Sequence, residues 1–132
     1  MQQYRTHRIA VTERARNLLR QLIEVHGAVL FHQSGGSPDD SSPICLPVRE
    51  FRIGGADVLL GYLPWHTEFW LSAEQYQMWK HTHVTVDVVD GRGSSVSLEA
   101  PRDVRFLLRS RLLTDEELAT LPPPRTGADR LI

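Results

Sequence analysis

Residues 28–31, 58–63, 68–71 and 84–89 are short apolar runs, each closed by Gly, Pro, Ser or Asp or by a polar loop. Short β-branched and aromatic segments punctuated in this way build a sheet. Val84, Val86, Val88 and Val89 form the strongest of them, ended by Asp90-Gly91-Arg92-Gly93, and Val96 with Leu98 is expected to return antiparallel beside it. Residues 58–63 and 68–71, joined by Pro64-Trp65-His66-Thr67, are expected to form a hairpin. Residues 48–53 alternate imperfectly, and residues 104–108 supply a further strand candidate.

Helical spacing is confined to three places. Ala15, Leu18, Leu19, Leu22 and Ile23 mark an amphipathic helix that Thr12 can cap and Gly27 can end. Its outer face carries Arg14, Arg16, Arg20 and Glu24, with Arg20 and Glu24 at i,i+4 spacing. Ser72 with Gln75, flanked by Leu71 and Tyr76, reads as a capping box with a hydrophobic staple. Thr114 with Glu117, framed by Leu113 and Leu118, is a second box.

These elements predict an α+β domain: a mostly antiparallel sheet of five or six short strands with flanking helices, with curling into a partial barrel as the structural alternative. A doubly wound dinucleotide fold requires strand–helix alternation and a glycine fingerprint after its first strand, and neither is present. At 132 residues the chain suits one domain, expected over residues 1–121. Pro122-Pro123-Pro124 ends the last helix, and residues 122–132 are expected to be a flexible tail.

The formal net charge of −1 gives no global attraction to nucleic acid or to an anionic membrane. Fourteen of the fifteen basic residues are Arg, Lys80 being the exception. The densest basic run, Arg102, Arg105, Arg109 and Arg111, is interrupted by Asp103 and followed by Asp115, Glu116 and Glu117, the pattern of a solvated or internally paired surface. No export signal or membrane-spanning run is evident, and a single cysteine, Cys45, rules out an internal disulfide, so a cytoplasmic location is expected.

Residues 32–47, HQSGGSPDDSSPICLP, place a Gly-, Ser-, Pro- and Asp-rich loop between two strand candidates. Gly35-Gly36 lacks the lysine and spacing of a phosphate-binding loop and reads as a turn. Asp39 and Asp40 are adjacent without the alternation of a calcium loop, and Ser34, Ser41 and Ser42 lack the context of a nucleophile elbow. Cys45 beside Ile44 and Leu46 reads as a buried small side chain, with reactive thiol and metal ligand as the alternatives. His81 and His83 share i,i+2 spacing and, with Cys45, His32 or a carboxylate, have the chemistry to hold zinc, iron or copper. Trp65, Phe69, Trp70, Tyr76 and Trp79 crowd the region around His66 and Glu68, where core packing, a ligand pocket and a partner surface all remain open.

At His32-Gln33-Ser34-Gly35-Gly36 and Ser41-Ser42-Pro43-Ile44-Cys45, then Phe51-Arg52 and Val58-Leu59-Leu60-Gly61, the chain resembles a bacterial family known only as domain of unknown function 779. Trp79-Lys80-His81-Thr82, Asp87-Val88-Val89 and Gly91-Arg92-Gly93 extend the likeness over most of residues 15–110. Members of that family are often encoded beside aldehyde or acetaldehyde dehydrogenase genes, so the resemblance implies an accessory role in aldehyde metabolism. The family pattern usually carries two adjacent cysteines after the double glycine and a third at the loop exit. This chain has Ser37 and Pro38 there and keeps only Cys45.

His32 and His81 match the family pattern, whereas His83 stands at a non-histidine position, so the resemblance implies His32, Cys45 and His81 as the metal or thiol set. The expected function is a small non-catalytic accessory or binding protein, with an aldehyde dehydrogenase or a second copy as partner and Trp65, His66 and Trp70 as its surface. The alternative is a metal-binding or thiol-dependent enzyme using His32, Cys45 and His81.

Overall fold

A computed structural model describes residues 7–130. Among these described residues, eight strands are divided between two mixed sheets, and neither sheet closes into a barrel. In the first, β1 (Ile9–Val11), β6 (Thr82–Asp90) and β7 (Val104–Leu112) lie in the order β1-β6-β7, with β1 parallel and β7 antiparallel to β6. The second holds β2 (Val29–Gln33), β3 (Ile44–Pro47), β4 (Val58–Leu63), β5 (Thr67–Leu71) and β8 (Arg125–Thr126), in the order β3-β2-β5-β4-β8. The β2–β5 pair is parallel and the others are antiparallel. The expected single sheet, with its partial-barrel alternative, is thus corrected to two sheets packed through one core.

Phe31 sits at the centre of that core. Its ring stacks on Phe69 of its own sheet at 5.7 Å and meets Phe106 of the other sheet edge-on at 4.8 Å, and all three rings are buried. Val84, Val86, Val88 and Leu108 add the first sheet's contribution. Ala15, Leu18, Leu19 and Leu22 add that of α1 (Glu13–His26). Thr12 fixes the start of this helix twice: its Oγ1 accepts from Ala15 N at 3.2 Å and donates to Asp87 Oδ1 at 2.9 Å. Burial would raise the Asp87 pKa, but hydrogen bonds from Arg109, the Val88 backbone and Thr12 outweigh it and hold the carboxyl below its ordinary range.

Local sequence signals are realised closely. Gly27, at φ 78°, donates its N–H to Ile23 O and ends α1. Ser72 caps α2 (Ala73–Trp79) by accepting from Gln75 N, but Gln75 Oε1 finds no partner, so only half of that box forms. Thr114 and Glu117 make both halves at the start of α3 (Asp115–Thr120). Arg111 grips Glu117 through two N–H groups at 2.8 and 2.9 Å, which with the Thr114 backbone bond pulls that carboxyl down to about 2.

Three expectations change. Residues 48–50 form a short 3-10 turn rather than a strand. The antiparallel neighbour of β6 is residues 104–112, not the segment around Val96 and Leu98. Residues 125–130, expected within a flexible tail, instead add β8 to the edge of β4 and continue into α4 (Gly127–Arg130). Gly127 N donates to Asp57 O and Ala128 N to Gly55 O, tying this end to the loop before β4. Among the described residues no helix is long and apolar enough to cross a membrane.

A Cβ on Gly127 would fall on the carbonyl oxygen of Gly54, where backbone rather than a mobile side chain stands in the way. Gly127→Ala is therefore expected to cost about 1–3 kcal/mol through overpacking. Hydrogen exchange should speed up at the amides of residues 127 and 128; unchanged exchange there would contradict the docking.

Candidate functional site

Strand register decides which of the expected site residues can meet. Cys45 stands opposite Phe31, and His32 opposite Ile44. Successive strand residues point to opposite faces, so Cys45 enters the core with Phe31 while His32 emerges on the other side of the sheet. His81 lies elsewhere, exposed between α2 and β6. The structure thus does not bring His32 and Cys45 to one face, and among the described residues no group of three or more His, Cys, Asp or Glu is placed to hold a metal ion.

Cys45 is fully enclosed. Burial and then the nearby Glu99 carboxylate push its thiol well above the ordinary value, which keeps it protonated at neutral pH. Its backbone N–H donates to Ser97 Oγ at 2.8 Å, and Ser97 Oγ donates in turn to Glu99 Oε1. Glu99 Oε2 accepts from Phe106 N at 3.4 Å. These bonds favour the ionised carboxylate, yet burial dominates and the Glu99 pKa is raised.

His32 has different company. Its imidazole lies against Phe51, with ring centres 4.7 Å apart, and Nε2 is 3.5 Å from Asp57 Oδ1. Asp57 Oδ2 accepts from Gly54 N, so the carboxylate also shapes the loop that lies over this face of the sheet. Trp70, which shares a cross-sheet row with His32 and Leu59, is only 1% exposed and donates its indole N–H to Glu68 Oε1. It belongs to the covered face of the sheet rather than to an open surface.

Trp65 and His66 are open. They form the β4–β5 turn after Pro64, and both adopt left-handed backbone conformations, φ 63° and 57°. Such geometry costs of order 1–3 kcal/mol at each side-chain-bearing residue and must be held by its surroundings. Thr67 Oγ1 helps by donating to Pro64 O at 2.8 Å, which closes the turn. Trp65 remains 47% exposed, with the Arg16 guanidinium 5.1 Å from the centre of its ring. Trp65 and His66 border an open groove of about 320 Å³ whose apolar wall includes Ile23, Val29 and Val48 and whose polar rim includes Glu68. The sequence marked Trp65 and His66; it gave no sign that Arg16, on the outer face of α1, would cover the indole.

A family model described as Domain of unknown function (DUF779) matches residues 18–112. The chain belongs to the DUF779 family. No curated protein and no solved structure matches it. The matched span of this DUF779 chain includes the Trp65 turn, His32, Cys45, Ser97 and Glu99, and ends before α3 and the C-terminal strand.

Because the folded-state pKa of Glu99 is raised, its protonated form stabilises the fold fully below the ordinary value of 4.5, and that contribution is lost as pH rises through the folded pKa. Wild type and Glu99→Gln should therefore differ in unfolding free energy by an amount that shifts against wild type as pH rises above 4.5. Urea denaturation at a series of pH values checks this, since the other carboxylates cancel in the difference. A difference independent of pH would contradict it.

Proposed function

We propose that this DUF779 protein is a non-catalytic binding module that docks a protein partner in the groove beside Trp65. The observation that carries the reading is the left-handed Trp65-His66 turn, which holds a large aromatic ring half in solvent at the mouth of an apolar groove. Exposed tryptophan beside a guanidinium is the composition of an interface anchor, and a rigid anchor loses little conformational freedom on docking. The genomic setting of the resembled family makes an aldehyde dehydrogenase the partner of choice. Reaction through Cys45 draws less support, because a thiol at 0% exposure with a raised pKa supplies neither access nor thiolate.

Interferometry with an aldehyde dehydrogenase from the same genome tests the reading. Saturable binding is expected, weakened roughly tenfold or more by Trp65→Ala, as for a central aromatic anchor. Binding that is absent at micromolar concentration, or that Trp65→Ala leaves unchanged, would overturn it.

A further inference from the structure

The second sheet opens a cleft at a place fixed by proline. In the β4–β8 ladder Val58 pairs with Thr126 and Leu59 with Arg125. Continuing that register would set Pro124, Pro123 and Pro122 against Leu60, Gly61 and Tyr62. Proline has no N–H to donate, so the ladder cannot be extended by these residues. On its other side β4 shifts register against β5 between Leu59 and Gly61, a bulge at Leu60. Gly61 is required here because a Cβ would come within 2.7 Å of Ile9 Cγ2.

The result is a cleft of about 410 Å³ between Leu60, Gly61 and Tyr62 on one side and the three prolines on the other. Tyr62 is 51% exposed along it. The charged and titratable side chains that line it are His7, Arg8, Tyr62 and Arg125, and no carboxylate side chain lines it among the described residues. Arg8 donates one N–H to Lys80 O at 2.7 Å and its guanidinium lies 5.5 Å from the centre of the Tyr76 ring, two contacts that hold it in place. Arg125 also borders a smaller recess of about 60 Å³ that contains Glu68 and Asp129, and Asp129 accepts from Thr126 N and Oγ1.

We propose that this cleft binds a small amphipathic carboxylate, its apolar body between Tyr62 and the proline wall and its carboxylate at Arg125 and Arg8. The apolar walls call for a hydrocarbon body, and the cationic lining calls for an anion. Inorganic phosphate meets the second requirement alone, and a neutral alcohol meets the first alone. The site is separate from the Trp65 groove, although the Tyr62 ring meets the His66 imidazole edge-on at 6.3 Å.

Titration of the isotope-labelled full chain with 3-phenylpropanoate, 3-phenylpropan-1-ol and inorganic phosphate tests the proposal by amide chemical shifts. The carboxylate should give saturable shifts at residues 60–62 and 125, with the alcohol and phosphate each at least tenfold weaker. Arg125→Gln should weaken the carboxylate on the order of tenfold, the loss of one charge-assisted contact, while its spectrum elsewhere stays that of wild type. If Arg125→Gln perturbs the fold, Tyr62→Ala replaces it with the same expectation. Equal affinity for acid and alcohol, shifts centred on Trp65, contacts showing the chain's own N-terminal residues in the cleft, or no response at millimolar ligand would each overturn the proposal.

Discussion

The two sheets depend on how their exposed edges are satisfied. β7 bonds to β6 on one side; on the other, Phe106 N donates to Glu99, Leu108 N to Ser41 O and Ser110 N to Asp39 Oδ1. Leu108 O accepts from Asp40 N. The outer edge of β3 is treated alike, with Cys45 N on Ser97 Oγ and Leu98 N on Cys45 O. Each sheet thus has an edge closed by a connecting loop, and Ser97 with Glu99 joins the β3 edge to the β7 edge. An open edge would expose a row of unpaired donors and acceptors for another chain to pair with. The Gly-, Ser-, Pro- and Asp-rich segment, so suggestive of chemistry, serves in large part as a strap along β7.

What could be read from the sequence was local. Thr12, Ser72 and Thr114 mark three helix starts, and the β4–β5 hairpin follows from two apolar runs and a proline-led turn. These depend on bonds between residues close in the chain. The division into two sheets depends on pairings such as Ile9 with Val84 and Phe31 with Phe69, which no neighbouring residue announces. Val96 and Leu98 look like a strand, yet the β-rich run that follows Pro101 is longer and takes the place beside β6, leaving Leu98 to bond Cys45.

The expected trio shows the same division. His32 and Cys45 both read as part of the 32–47 loop, so the pairing of β2 with β3 was not legible, and neither was their parity across the sheet. It rests on Cys45 facing Phe31, and a slip of one residue would turn every side chain of β3 over. Of the expected surface, Trp65 and His66 are open because the turn projects them, while Trp70 is covered by the chain that returns over the sheet. The prolines after α3 read as an end to structure. Their effect on β4, stopping a ladder rather than freeing a tail, becomes visible only once Arg125 is known to pair with Leu59.

The claim that Ser97 and Glu99 couple the two sheet edges is tested most directly by native-state hydrogen exchange on Ser97→Ala. Removing the hydroxyl deprives Cys45 N of its acceptor and Glu99 of its donor, so the amides of Cys45 and Phe106 should lose protection together although they lie in different sheets. Faster exchange at Cys45 with Phe106 unchanged would contradict the coupling.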